Sequence, residues 1–297
     1  MTSLSSSLFD SMPATRVFFH TAIIGVSIGV AFVLGNAFAP GNNMVKLLLA
    51  LLFITLYVVV RLLLRLRRLQ AQAAKLSDQA AEDLRQAEDL VSLNSLIQPV
   101  RPLPPMRGWA MSPDILKHIA ATVLDRRPTY VVEASSGVST LVIAYCLKRL
   151  GAGAVISLEH DAKFATANQQ QLIEHQLDGF ARVVHAPLIT HHVQGQQLPW
   201  YSLDAIDSKL PIDMLVIDGP PKLAASNRLV RYAAVPLLYD QLADGCKIIL
   251  DDADRDQERQ VVKLWSEQFS DLTHELIEFE KGASILTKGA TGLRSAE

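Results

Sequence analysis

Between residues 112 and 288, short β-branched runs alternate with longer amphipathic ones, and this alternation constrains the fold more than any other feature. "DILKHIAATVLDR" has helical spacing, "TYVVEA" is a strand, and "STLVIAYCLKRL" is a helix again. "AVISLE", "DAKFATANQQQLIEHQL" and "ARVVHAP" read as strand, helix, strand. A polar, Gln-rich stretch separates them from the strand "IDMLVID", the helix "NRLVRYAAVPLLYDQL", the strand "CKIILDD" and the helix "RDQERQVVKLWSEQF". The closing strands "HELIEFE" and "ASILTK" have only Lys281 and Gly282 between them, so they run antiparallel to each other. Strands alternating with helices predict a parallel, doubly wound sheet. Ligands of such sheets bind at the carboxyl ends of the strands.

The N-terminal part has a different character. "VFFHTAIIGVSIGVAFVLGNAFA", Val17 to Ala39, lacks Asp, Glu, Lys and Arg and is long enough for a membrane span. "APGNN" is a turn, and the apolar run "LLLALLFITLYVVV" follows, extended by Leu62 to Leu64 if Arg61 snorkels. Residues 1–64 therefore predict a tail and a hairpin of two transmembrane helices, about 17–39 and 44–64. Arg16 precedes the first, and Arg61, Arg65, Arg67 and Arg68 follow the second, so both ends face the cytoplasm in a multi-pass arrangement at the inner membrane. Residues 65–98 lack Pro and Gly and carry a heptad seam from Leu62 to Ile97, interrupted by Asp83 and Asn94. That stalk is either a self-associating coiled coil giving a homo-oligomer, or a single amphipathic helix lying on the membrane or on the following domain. The proline-rich "QPVRPLPPMRGWAMSP" marks the start of a domain over 99–297.

The acids at the strand ends carry the chemistry. "VVEASSGVST" ends a strand on Glu133 and enters a helix through one glycine. A dinucleotide fingerprint needs three glycines, and a P-loop needs Gly-Lys-Ser or Gly-Lys-Thr, so neither fits. Glu133 would repel a pyrophosphate and suits a ligand with a positively charged amino-acid end. Glu159, closing "SLE", is placed to accept the hydroxyls of a ribose. Asp218 ends the fourth strand, and Asp251 and Asp252 end the fifth. Three carboxylates together need a positive charge between them. Mg²⁺ with oxygen ligands is one answer; the other is that Asp251 and Asp252 cap the next helix and pair with Arg255. Lys222 follows "DGPP" as a base or orienter of an acceptor, or as a solvated loop lysine. Trp200 and Tyr201 either line an acceptor pocket or pack the insertion on the sheet, and His185, His191 and His192 have no metal-ligand spacing. A net charge of −2 gives no general attraction for nucleic acid. Cys146 and Cys246 lie in a helix and a strand and imply no disulfide framework.

"VVEASSGVST", "ISLEHD", "VVHAPL", "DMLVIDGPP" and "KIILDDADR", in this order, resemble a class I methyltransferase dependent on S-adenosylmethionine (SAM), more narrowly the bacterial methyltransferase family 24. The resemblance covers about residues 103–288. It implies a Rossmann-like sheet of seven strands with the last one reversed, and SAM lying over the first turn. Glu133, Ser135, Ser136, Gly137, Ser139 and Thr140 would then hold the methionine end, Glu159 the ribose, and His160, Ala186 and Pro187 the adenine. Where that family often has glycine, this chain has Ser135. The acids Asp218, Asp251 and Asp252 are similar to the metal-binding acids of catechol-type O-methyltransferases, with Asp252 in place of the usual Asn. The resemblance thus implies a membrane-tethered O-methyltransferase, with or without Mg²⁺, acting on a small or a lipid- or glycan-linked acceptor, with Asp218 and Lys222 as candidate catalytic residues. The competing expectation is a catalytically silent, SAM-binding membrane scaffold.

Overall fold

A computed structural model of the chain describes residues 25–26, 28–30, 32–37, 40–221 and 229–289. It divides into two compact units, Met1–Ala80 and Ala81–Glu297. Most of the first expected span, and Lys222, lie outside the described residues. Among the described residues one helix, not two, is long and apolar enough to cross a membrane: α1, Asn43–Ile97. Of the predicted hairpin the described residues thus support a single candidate span, and they do not support the two-helix, multi-pass arrangement. Asn42 opens α1 by accepting from the N–H groups of Met44 (3.1 Å) and Val45 (3.3 Å). With no proline or glycine to stop it, the helix runs from the apolar span through the expected stalk without a break.

In the first unit the apolar side chains of α1, such as Leu47, Leu51 and Leu56, are exposed, as are the seam leucines Leu62, Leu66, Leu69 and Leu76. In the second unit the end of α1 is buried on the domain through Gln86, Leu93 and Ile97. The faults in the seam have local partners there. Asp83 pairs with Arg107 (2.7 Å), which also holds Glu280 (2.8 Å), and Asn94 donates to the carbonyl of Leu90.

The domain continues with α2 (Pro113–Arg126), β1 (Tyr130–Ala134), α3 (Val138–Leu150), β2 (Ala154–Glu159), α4 (Ala162–Glu174) and β3 (Ala181–His185). A hairpin follows, β4 (Leu188–Val193) and β5 (Gln196–Tyr201), then β6 (Ile212–Ile217). After short turns of helix that include α5 (Ala234–Leu238) come β7 (Leu242–Asp251), α6 (Asp256–Gln268), β8 (Leu272–Ile277) and β9 (Ala283–Lys288). The seven-stranded sheet has the order β3-β2-β1-β6-β7-β9-β8, and β9 is antiparallel to both neighbours. The reversal of order beside β1 opens the crevice at the carboxyl ends of β1 and β6.

Successive residues of β1 serve opposite cores. Val131 belongs to the core that includes Ile115, Leu141 and Leu93 on one face, and Val132 to the core that includes Trp200, Tyr232 and Trp265 on the other. The Gln-rich stretch, given no element in the sequence, forms the β4–β5 hairpin, and its Trp200 and Tyr201 are fully buried, in line with the packing alternative. One expectation needed correction. The single helix expected over "NRLVRYAAVPLLYDQL" is instead a chain of short turns: Val230–Ala233, α5 and Tyr239–Gln241. Pro236 lies in this run and removes a helical N–H, and the chain must turn to enter β7.

Candidate active site

The first turn is built by two close backbone approaches. Ser135 leaves β1 with φ +118°, a region that side chains disfavour, and its N–H donates to the carbonyl of Leu158 (3.0 Å). Gly219, after β6, comes against this turn. A Cβ there would lie 3.2 Å from the Ser135 Cβ and 2.2 Å from the Tyr201 hydroxyl, so only glycine fits. Gly137 (φ 156°, ψ −137°) has a conformation reserved for glycine and leads into α3. Its N–H donates to Thr140 Oγ1 (3.1 Å), and that hydroxyl donates to Glu133 (2.6 Å). Ser157 donates to the same Glu133 oxygen, Oε2 (2.5 Å). The other oxygen, Oε1, is buried without a hydrogen-bond partner in a residue with no exposed surface. Burial pushes the Glu133 carboxyl above its usual range, partly offset by the hydroxyls of Ser139, Ser157 and Thr140.

Glu159 closes β2 next door. Its Oε2 accepts from Ser136 (2.9 Å), and its Oε1 accepts from the N–H of Asp161 (3.0 Å). Asn168 on α4 donates to Ser136 (2.7 Å) and fixes that hydroxyl. The His160 ring lies against Glu159 (Nδ1 to Oε1, 2.9 Å) and edge-on to Tyr201 at 6.3 Å. Ala186 is buried and donates its N–H to the Glu159 carbonyl (2.7 Å), while Pro187 is exposed. Thus Glu133, Ser135, Ser136, Gly137, Thr140 and Glu159 meet around the turn after β1, with Ser139 buried on α3 beside Glu133, while Ala186 and Pro187 follow β3.

The second centre lies beyond β6 and β7. Asp218, Asp251 and Asp252 each offer a carboxylate oxygen within 4.8 Å of the others. The positive charge between them is a side chain, Arg231. It is 6% exposed, and Nη2 donates to Asp252 Oδ2 (3.1 Å) and lies 3.4 Å from Asp218 Oδ1. It also donates to backbone carbonyls, Nη1 to Asp251 (2.9 Å) and Nη2 to Asp218 (2.7 Å). Arg255 pairs with Asp252 Oδ2 (2.7 Å), as one of the two expectations had it, although no aspartate side chain caps α6. Burial raises the Asp218 carboxyl well above its ordinary range, the charge of Asp251 adds to this, and Arg231 opposes it. Burial and Asp252 push Asp251 up to about 6. Arg231 stays charged: burial disfavours the cation, but Asp218, Asp252, Glu258 and Asp251 together raise it.

Arg231 was not among the residues singled out in the sequence. A signal was present, since an arginine inside the apolar run "LVRYAAVPLL" must find acids or water. Arg231 and Asp218 line a cavity of about 510 Å³ with Trp109, Pro220, Leu229 and Val261. Trp109 stands at 94% exposure on this cavity, and it too was passed over. The histidines do not gather here: His191 contacts the Tyr201 carbonyl (3.0 Å) and His192 contacts Gln197, both on the hairpin.

Residues 134–253 match the model of methyltransferase family 24, a methyltransferase domain. No curated protein matches the chain in sequence. Among solved structures, the O-methyltransferase from Bacillus cereus in complex with SAH is similar at 17% identity, over 72% of this chain and 97% of that one, with a TM-score of 0.48. The SAH-bound methyltransferase PaMTH1 of Podospora anserina is similar at 14% identity, over 72% and 95%, with a TM-score of 0.49. The O-methyltransferase TomG of Streptomyces achromogenes, in complex with SAM, is similar at 15% identity, over 68% and 88%, with a TM-score of 0.46. With the strand order and acid-bearing strand ends described above, the family match makes the C-terminal part of this chain a class I methyltransferase domain.

Proposed function

We propose that the chain is a membrane-tethered, SAM-dependent O-methyltransferase. The observation that carries the reading is the Glu133 carboxylate at the end of β1, buried, with its oxygen Oε1 lacking a hydrogen-bond partner. An ammonium group satisfies such an oxygen and stabilises the charge that burial disfavours. Glu159 retains lone pairs for ribose hydroxyls beyond the bonds to Ser136 and Asp161. Ala186 and His160 flank the same end of β2 and suit the adenine.

Bound SAM supplies a methyl group on a sulfonium: an oxygen lone pair forms the new C–O bond, and the C–S pair stays on sulfur. The protein must then place the acceptor hydroxyl in line and take its proton. Asp218 is our first candidate for this. It follows the strand next to β1 and borders the cavity, and because its carboxyl is raised, its deprotonated form is a stronger base than an ordinary aspartate. Lys222, outside the described residues, is the second candidate.

The apolar part of α1 supplies the tether, and the arginines that follow it favour a cytoplasmic domain. An acceptor made or held at the membrane, lipid- or glycan-linked, is the class that gains from this. The exposed seam from Leu62 to Leu76 offers a contact for a second copy of the chain. The test is methyl transfer from labelled SAM to a membrane extract, by wild type and by Asp218→Asn. Transfer lost in the variant supports the reading. A variant that restores the cellular role in full favours the scaffold.

A further inference from the structure

The resemblance to catechol-type enzymes implies a divalent cation on Asp218, Asp251 and Asp252, and the donor set is chemically suitable, since hard cations take carboxylate oxygens. The arrangement around those oxygens does not fit one. Asp252 Oδ2 is already shared by Arg231 (3.1 Å) and Arg255 (2.7 Å). The Arg231 guanidinium reaches between Asp218 and Asp252, and it cannot lose its charge by deprotonation. It is also held by contacts that do not depend on the acids. Its two terminal nitrogens bridge the backbone carbonyls of Asp218 (2.7 Å) and Asp251 (2.9 Å), so they tie the end of β6 to the end of β7. Withdrawing it would leave two carbonyls without these donors in a place where water has little access. A divalent ion entering with Arg231 in place would meet a fixed positive charge at contact distance.

We infer that this acidic centre is built around a resident guanidinium in place of a divalent cation, and that methyl transfer here needs no metal. Arg231 is then a positioning residue. It acts through Asp218, setting that carboxylate at the cavity wall and balancing its charge once the acceptor proton has moved onto it and off again to solvent. Lysine cannot replace it, because one ammonium cannot bridge both strand ends in the planar geometry of the fork. The inference rests on the methyltransferase reading of the site, but its test does not.

The probe is Mn²⁺, titrated into the full chain in detergent micelles and followed by the paramagnetic signal of the free ion. Wild type should show no saturable site in the millimolar range, and its SAM titration should be the same in EDTA and in Mg²⁺. Arg231→Met frees the three carboxylates and should create a Mn²⁺ site at least roughly tenfold tighter than anything in wild type. Adding Asp252→Asn to that variant should remove the site. Arg231→Lys should lower kcat, leave the KM for SAM near its wild-type value and still exclude Mn²⁺. One Mn²⁺ bound per wild-type chain, lost in Asp252→Asn alone, would overturn the inference. If Arg231→Met does not fold, the wild-type and Asp252→Asn titrations decide the matter by themselves. Failure of SAM to bind a wild-type protein that excludes Mn²⁺ would count against the methyltransferase reading instead.

Discussion

Ser135 has a side chain where the backbone asks for none, at φ +118°. Relieving a strained non-glycine residue recovers about 1–3 kcal/mol, less the added freedom of glycine in the unfolded chain. Ser135→Gly should therefore raise the melting temperature and leave SAM affinity no weaker, measured by thermal denaturation and calorimetry. Glu133→Gln keeps the shape and removes the charge. Losing a charge-assisted hydrogen bond costs about 1.5–3 kcal/mol, so SAM should bind roughly 10–100-fold more weakly. The pH dependence follows from the raised carboxyls of Glu133, Asp218 and Asp251. Each holds its proton more tightly folded than unfolded, so its contribution to stability is complete below the unfolded value and is lost as pH rises through the folded one. Asp251, at about 6, sets a window between pH 4 and 6 in which the melting temperature should fall as pH rises. Activity runs the opposite way, because Asp218 must be deprotonated to accept a proton. Its acid limb should lie above the ordinary aspartate range, because burial and the charge of Asp251 raise the Asp218 carboxyl, and the apparent value belongs to the Asp218–Asp251 pair. At this scale the acids were legible, because strand periodicity fixes which residue ends each strand. Arg231 was not, since its partners lie on two other elements and only the tertiary fold brings them together.

The elements were read where period and punctuation agreed. β2 and β9 occupy the residues that "AVISLE" and "ASILTK" mark out, and Asp161 caps α4 by accepting from Lys163 (2.7 Å) and Phe164 (3.2 Å). The β4–β5 hairpin was hidden because its strands carry His191, His192, Gln196 and Gln197, which have little strand preference. Only its pairing and the burial of Trp200 and Tyr201 make it a sheet. The helix α1 was read as span plus stalk, but its last turns also serve as a lid on the core beside α2 and α3. Leu93 is fully buried there, so Leu93→Ala should destabilise the domain by about 2–5 kcal/mol. A chain begun at Ala81 should accordingly melt at a higher temperature than one begun at Pro99, which lacks Leu93 and Ile97. Equal melting temperatures would show that the end of α1 is dispensable.

At the scale of the molecule, a helix long and apolar enough to cross a membrane and a methyltransferase domain occur in one chain, and the proposed tether is tested on the chain as a whole. The full chain should sediment with membranes and resist a carbonate wash, whereas the chain begun at Ala81 should stay in the supernatant. One apolar helix was legible as composition, because α1 opens with a long run of apolar residues. The number of spans was not, since the first run lies mostly outside the described residues. The central claim is that the turn after β1 holds SAM against Glu133, and calorimetric titration of the full chain with SAM tests it most directly. Saturable binding of one SAM per chain, weakened at least roughly tenfold in Glu133→Gln, is the predicted result. A folded wild-type chain that gives no binding heat, or a Glu133→Gln variant that binds as tightly as wild type, would contradict it.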